Sequence, residues 1–436
     1  MNYSIDVKER LTKIISSMQD YQWLFVNNPE TDFIRTRKLS FESMIHLMIS
    51  MESGSTKKEL LKALDYSVDA ASLSAFNQQR RKILPEAFQY LFHEFNSSFP
   101  EENTYRGYRL LACDGSDLNI ARNPNDEENY FQSASNQKGF NQLHLNALYD
   151  LCNRRYVDAL IQPGRYNNEY KAMCDMIDRY QGTKAIFIAD RGYESYNIFA
   201  HAIEKEQFYL IRARDSKSRC IISSFKQIPH REEYDISISF ILTKKQTNEV
   251  KAGGTAYKIL MPSSPFDYFD SHENQFYPMT LRILRFAITK DTYECVITNL
   301  PQNDFSPEEI KKLYAMRWGI ETSFRELKYT IGLRSFHSKK VEYIKQEIWA
   351  RLILYNFCEI ITTKVVVTQK ETKHIYQLNY SMAIDICLYF LKCRPDISPP
   401  DVEALIAKNL LPVRTGRQNP RKVKSQSAVS FLYRAA

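Results

Sequence analysis

Residues 185–189, AIFIA, are five consecutive apolar positions closed by Asp190, Arg191 and Gly192. A strand that is apolar on both alternating faces is buried on both sides of its sheet, so helices must lie above and below it. The flanking periodicity supplies those layers. RLLACD (109–114), QLHLNALY (142–149) and YVDALI (156–161) read as three earlier strands, the last closed by Pro163 and Gly164. Residues 168–181 repeat Tyr170, Met173, Met176, Ile177 and Tyr180 at helical spacing, and a helix over 195–205 and a strand, FYLIR (208–212), follow. The order is three strands, helix, strand, helix, strand. Asp114 and Asp190 each stand at the polar limit of an apolar strand, and Gly115, Ser116 and Asp117 read as a turn or bulge after the first.

Further on, SPEEIKKLYAMRWGIETSFRELKYTIGL (306–333) reads as one long helix. Ser306 and Pro307 suit a cap and first turn, Glu308 and Glu309 suit the positive end of the dipole, and Gly332 is a stop. Leu313, Met316, Ile320, Phe324, Leu327 and Ile331 share an arc of roughly 80° and form a core face. Beside it runs a stripe of Tyr314, Arg317, Glu321 and Lys328 within roughly 60°. A carboxylate bracketed by an Arg and a Lys is a pattern that can grip phosphates around a carboxylate-bound metal. A solvated flank beside a core face is the alternative reading.

With its spacing of two, three and six intervening residues, this Tyr–Arg–Glu–Lys stripe resembles the mark of the insertion-sequence-4 group of DDE transposases. The Asp114-Gly115-Ser116 segment and the Ala189-Asp190-Arg191-Gly192-Tyr193 turn come in that family's order. The resemblance, over roughly residues 40–425, implies an α/β protein: a ribonuclease H-like core with a β-rich insertion and an N-terminal helical domain. It implies metal-dependent DNA strand cleavage and transfer at terminal inverted repeats, with Asp114, Asp190 and Glu321 as catalytic and metal-binding residues. Two Mg²⁺ ions, for which Mn²⁺ can substitute, would be held by oxygen ligands, Asp114 bridging and Asp190 and Glu321 each completing one. Arg317 and Lys328 would hold phosphates of the cleaved end, and Tyr314 would donate to a phosphate oxygen or orient Arg317. The implied partners are double-stranded DNA, at both the inverted repeats and the target, and a second copy of the chain in a synaptic homodimer. Asp117 is a rival for the first acid. A nuclease of the same fold without strand transfer, or a DNA-binding protein that has lost its chemistry, would share much of this pattern.

The remaining segments divide the chain into residues 1–104 (helical), 105–214 (first part of the core), 215–304 (β-rich insertion), 305–400 (second part of the core) and 401–436 (basic tail). Within the first, SFESMIHLMISM (40–51), a helix over 56–64 and one from about Ser72 are expected. The third carries Arg80, Arg81 and Lys82, a candidate contact to terminal DNA; a plain solvated face is the alternative. The insertion has strand-like segments at 235–243, 257–261, 279–288 and 293–297, with a polar loop from Ser263 to Asn274. Family members can stack a Trp from the insertion on a flipped base. Here Trp occurs only at 23, 318 and 349; Phe266, Tyr268, Phe269, Phe276 or Tyr277 could replace it, although packing is the simpler role for these rings. A long apolar helix at 342–366 should cover the sheet, and another spans 378–395. In the tail, Arg421 and Lys422 are candidate nonspecific phosphate contacts, a solubilising tail being the alternative.

Composition is compatible with all of this and decides little. In 436 residues a net charge of +8 suits a polyanion partner. Eight scattered cysteines without C-x-x-C spacing point to free thiols in a reducing cytoplasm, as for a nucleoid-associated bacterial protein. The N-terminus lacks the apolar stretch of a secretion signal, and no run reaches the roughly 18 apolar residues of a membrane span.

Overall fold

A computed structural model describes residues 3–35, 37–100, 102–132, 134, 138–215, 220–269, 275–367, 375–394, 397–413 and 432–433. Five helices come first: α1 (Tyr3–Asp20), α2 (Phe41–Ser50), α3 (Thr56–Ala63), α4 (Leu73–Arg80) and α5 (Pro85–Ser97). Ser40, Ser55 and Ser72 cap α2, α3 and α4, each accepting a hydrogen bond from a backbone N–H of its helix's first turn. Strands β1 (Arg109–Ile120), β2 (Tyr130–Phe131), β3 (Phe140–Asp150) and β4 (Arg155–Pro163) follow, then α6 (Glu169–Arg179), β5 (Ala185–Ala189), α7 (Tyr196–Glu204) and β6 (Phe208–Ala213).

β1 pairs antiparallel with β3 and parallel with β5; β3 pairs with β4, and β5 with β6. Counting only the five long strands in chain order, the sheet runs 3-2-1-4-5, the ribonuclease H-like arrangement expected, with the first and fourth strands as neighbours. Alternation sorts the side chains. Ala112 and Leu118 of β1 join a core with α1, α2, α5 and the C-terminal helices, whereas Leu111 and Cys113 join a core with α6 and α7.

Two expectations about the strands fail. Residues 115–117 form no turn, because β1 runs on to Ile120 with an unbroken ladder against β3 (Gly115 opposite Asn146, Asp117 opposite His144). Only the parallel pairing with β5 stops at Cys113. Asp114 is therefore where β1 loses one neighbour, not where it ends. Nor does the insertion have a sheet of its own. Its strands β7 (Tyr234–Thr243), β8 (Tyr257–Ile259), β9 (Phe276–Thr289) and β10 (Thr292–Thr298) continue the core sheet in the order β6-β10-β9-β7-β8, with a short helix, α8 (Asn248–Ala252), between β7 and β8. The segment 215–304 is a lateral extension rather than a separate body. Phe266 and Tyr277 are buried in it, and Tyr268 and Phe269 pack on them, as simple packing predicts; Phe276 is more exposed.

Helices α9 (Pro307–Met316), α10 (Trp318–Tyr329), α11 (Val341–Thr362), α12 (Tyr380–Lys392) and α13 (Val402–Lys408) complete the chain. α11 does more than cover the sheet. Every residue from Gln346 to Thr362 is buried, because α5, α2, α1, α12 and β4 surround it. The N-terminal helices therefore share one hydrophobic core with the second half of the chain and have none of their own. Arg421 and Lys422 lie outside the described residues.

Arg80 corrects a further expectation. Its side chain is 1% exposed and cannot reach DNA: its guanidinium meets Glu347 at 2.8 Å, Gln346 Oε1 at 2.9 Å and the carbonyl of Tyr343 at 2.5 Å. Burial raises the pKa of Glu347, and the Arg80 charge and His337 hydrogen bonds outweigh it, holding the carboxyl at about 2. Arg81 is exposed and Lys82 half-buried beside Asp32, 4.0 Å away. Arg80→Ala should thus cost about 3–5 kcal/mol by leaving a buried carboxylate unpaired. Arg81→Ala should leave the melting temperature unchanged. Thermal unfolding of the two variants beside the wild type checks this; equal melting temperatures would refute it.

Candidate active site

The 306–333 stretch is two helices, not one. Ser306 and Glu309 form a capping box at the start of α9. At Arg317 the backbone stays helical but the hydrogen bonds tighten: Arg317 N–H donates to Tyr314 O and Ile320 N–H to Arg317 O, three residues back instead of four. The register change turns Met316 out of the expected core face, to 39% exposure, while Leu313, Ile320, Phe324, Leu327 and Ile331 stay buried. Gly332, at φ +92°, ends α10 with Leu333 N–H bonded to Leu327 O across the turn.

β1 and α10 pack together and bring the three acids to one side of the sheet. Asp114 has the even parity of Ala112, on the face toward α10, and Asp190 follows β5 immediately beside it, since Cys113 pairs with Ala189. All three acids are half-buried. Burial raises the carboxyl pKa of Asp114 to about 6, the Gly115 N–H and Arg317 pull it down, and Asp190 and Glu321 push it up. Asp114 thus feels the charge of both other acids. Each is held by a local donor: Gly115 N–H to Asp114 at 2.9 Å, Gly192 N–H to Asp190 at 2.7 Å, and Arg317 to Glu321 at 2.6 Å. Among the described residues, no three His, Cys, Asp or Glu side chains are drawn in to metal-cage distance. The donor set nevertheless fits a hard divalent cation: oxygen ligands only, on separate elements, with mutual repulsion that a cation would relieve.

The cations flank these acids. Arg317 is buried beneath Trp318 and beside Tyr314, its guanidinium 5.7 Å and 5.9 Å from their ring centres. Its Nε and the Tyr314 hydroxyl are buried without a hydrogen-bond partner among the described residues. Trp318 itself is 59% exposed, a large aromatic face one turn before Glu321 on α10, although it lies outside the insertion where the resemblance implies a stacking Trp. Lys328 donates to the backbone carbonyl of Asp117 at 3.0 Å.

Asp117, the rival first acid, has odd parity and faces away. Its carboxylate meets His144 Nδ1 at 2.7 Å, and His144 Nε2 lies 3.0 Å from Glu169 at the start of α6. A Cβ at position 115 would come within 2.4 Å of Glu169 Oε1 and 2.5 Å of His144 Nε2, so this cluster requires the glycine after Asp114. Burial lowers the His144 pKa and the two carboxylates more than reverse it, to about 9. A histidine raised from about 6.5 stabilises the fold fully below pH about 6.5 and loses that contribution as pH rises through 9. Because Asp117 and Glu169 are partly solvated, roughly 1–2 kcal/mol is expected. Denaturant unfolding should show wild type more stable than His144→Gln at pH 6 and the gap closing by pH 9.5; a constant gap would contradict the assignment.

Residues 105–357 match the family described as transposase DDE domain. The chain is similar to the transposase InsG for insertion sequence element IS4 of Escherichia coli K12, 22% identical over 418 residues that cover 90% of this chain and 87% of the relative. The transposase for IS421 of Escherichia coli is 34% identical over 58 residues, 13% of this chain and 16% of that one. A solved piggyBac transposase synaptic complex with hairpin DNA aligns at a TM-score of 0.46 and 10% identity, covering 98% of this chain and 87% of that one.

Proposed function

The chain belongs to the DDE transposases, in the insertion-sequence-4 group, and on that footing we propose that Asp114, Asp190 and Glu321 are its catalytic carboxylates, acting on the terminal inverted repeats of its own element. The observation that carries this is that Asp114 on β1 lies within electrostatic reach of both Asp190, at the end of β5, and Glu321 of α10.

Asp114, Asp190 and Glu321 would hold two divalent ions, Mg²⁺ with Mn²⁺ as a substitute. Such a pair activates a water or 3′-hydroxyl and stabilises the leaving oxygen of an in-line phosphoryl displacement. The protein's part is placement. Arg317 bonds Oε1 of Glu321, which leaves Oε2 for a metal and the remaining guanidinium hydrogens for a phosphate oxygen in the same region. The unpartnered Tyr314 hydroxyl and Arg317 Nε support a role in binding that phosphate. Lys328, across the site on the next turns of α10, would hold a neighbouring phosphate. Trp318, exposed above the buried Arg317, presents a flat aromatic face on which an unstacked base could rest. Cleavage followed by strand transfer to target DNA, within a homodimer that pairs the two ends, completes the reading.

Asp190→Asn and Glu321→Gln should bind terminal-repeat duplex like the wild type and lose at least about a thousandfold in Mg²⁺-dependent nicking. Gel shift and nicking of one labelled substrate measure both. Wild-type nicking by either variant would refute the assignment. A protein that nicks but joins no 3′-hydroxyl ends to a plasmid target would be the nuclease instead.

A further inference from the structure

Three clefts open around α4 and share Gln78. One of about 920 Å³ lies between Arg81–Lys82 and the start of α11, one of about 660 Å³ between Asn77 and residues 337–340, and one of about 700 Å³ between α4 and residues 37–39. Arg37, Lys38, Arg81, Lys82, Lys339 and Lys340 line them, against the carboxylates of Asp32 and Glu342. That excess of positive charge fits a polyanion.

The face α4 turns into this space is mostly polar, with Leu73 and Ala75 at its edges. Ser74, Asn77, Gln78 and Arg81 are exposed at helical spacings of three, one and three, while Phe76 and Arg80 on the opposite side are buried. Amides match the hydrogen-bonding edge of adenine, and guanidinium that of guanine. A helix with its side chains is about 10–12 Å across, which the roughly 12 Å major groove admits. The opposite wall comes from the DDE domain, and the buried Arg80–Glu347 pair fixes the two walls in place. Tyr343 is held between Arg80 and Lys340, at 5.1 Å and 5.6 Å from its ring centre. A further cation lies between residues 337–343 and Lys328 in sequence. Exposed Arg334 stands over the Tyr329 ring at 5.1 Å and, after burial, is among the charges that lower the Lys328 pKa.

We propose that α4 and residues 337–343 form a groove for duplex DNA in which Asn77, Gln78 and Arg81 read base edges while Lys339 and Lys340 hold the flanking phosphates. It rests on the DNA-end reading above and adds the division between residues that recognise sequence and residues that supply affinity.

The test is fluorescence-anisotropy titration of the full chain, without divalent metal, at several salt concentrations. The probes are a duplex of the inverted repeat bordering its own gene and a base-shuffled duplex of equal length. N77A/Q78A should lower the preference for the repeat about tenfold or more and leave binding to the shuffled duplex unchanged. K339A/K340A should weaken both duplexes alike and reduce the slope of log affinity against log salt by about two. All four side chains are exposed, and unchanged thermal melts confirm intact folding. Variants that match a sequence-selective wild type overturn the groove alone, as does N77A/Q78A weakening both duplexes equally. A wild type that binds both without preference overturns the reader assignment. A wild type that binds neither overturns the DNA-end reading and the groove with it.

Discussion

The architecture depends on how α11 satisfies its buried polar groups. A helix enclosed on all sides can carry polar residues only if each finds a partner. Glu347 and Gln346 take Arg80 of α4. Arg351 donates to the carbonyls of Met51 and Glu52 after α2. Asn356 bonds Asn96 of α5 and both backbone groups of Tyr156 in β4. Glu359 accepts from Arg154 at 3.0 Å in the turn before β4. One helix thereby sets the position of the N-terminal helices, the sheet and, through the chain that precedes it, α10. Apolar burial supplies most of the driving force, but it is nondirectional; these bonds give the packing a single arrangement.

The sheet then separates two groups of charges that are neighbours in sequence. Along β1, Asp114 looks toward α10 and Asp117 toward α6, because side chains alternate. The first joins Asp190 and Glu321 in a site left with repulsion to relieve. The second is neutralised by His144, which also serves Glu169. The glycine between them belongs to the second group, since the His144 ring and Glu169 fill the space its side chain would need. Asp-Gly-Ser-Asp thus serves two surfaces, only one of them facing α10.

What the sequence disclosed followed the range of the forces involved. The apolar β5, the serine caps of α2 to α4 and the Ser306 box are local, and each was legible. So was the succession of strands and helices along the chain, because alternation and helical period survive without contacts. The path of β1 through Gly115–Asp117 was not, since turn-forming residues were overridden by ten registered pairs with β3. Arg80 looked like its neighbours Arg81 and Lys82 because the acid that buries it lies 267 residues away. The division at Arg317 was invisible to a periodicity that it only slightly disturbs. Strand segments in 215–300 were found, yet nothing local revealed that they would add to an existing sheet edge.

Lys328 shows what such packing achieves before any ligand arrives. Its stem is already immobilised across β1 by the single bond to the Asp117 carbonyl. A free lysine side chain gives up about 1.5–2 kcal/mol of rotamer freedom when it is fixed. Here that loss falls on folding, and two of the three ammonium hydrogens remain to be offered. The proposed phosphate contact would therefore meet an arm already confined to a narrow range of orientations.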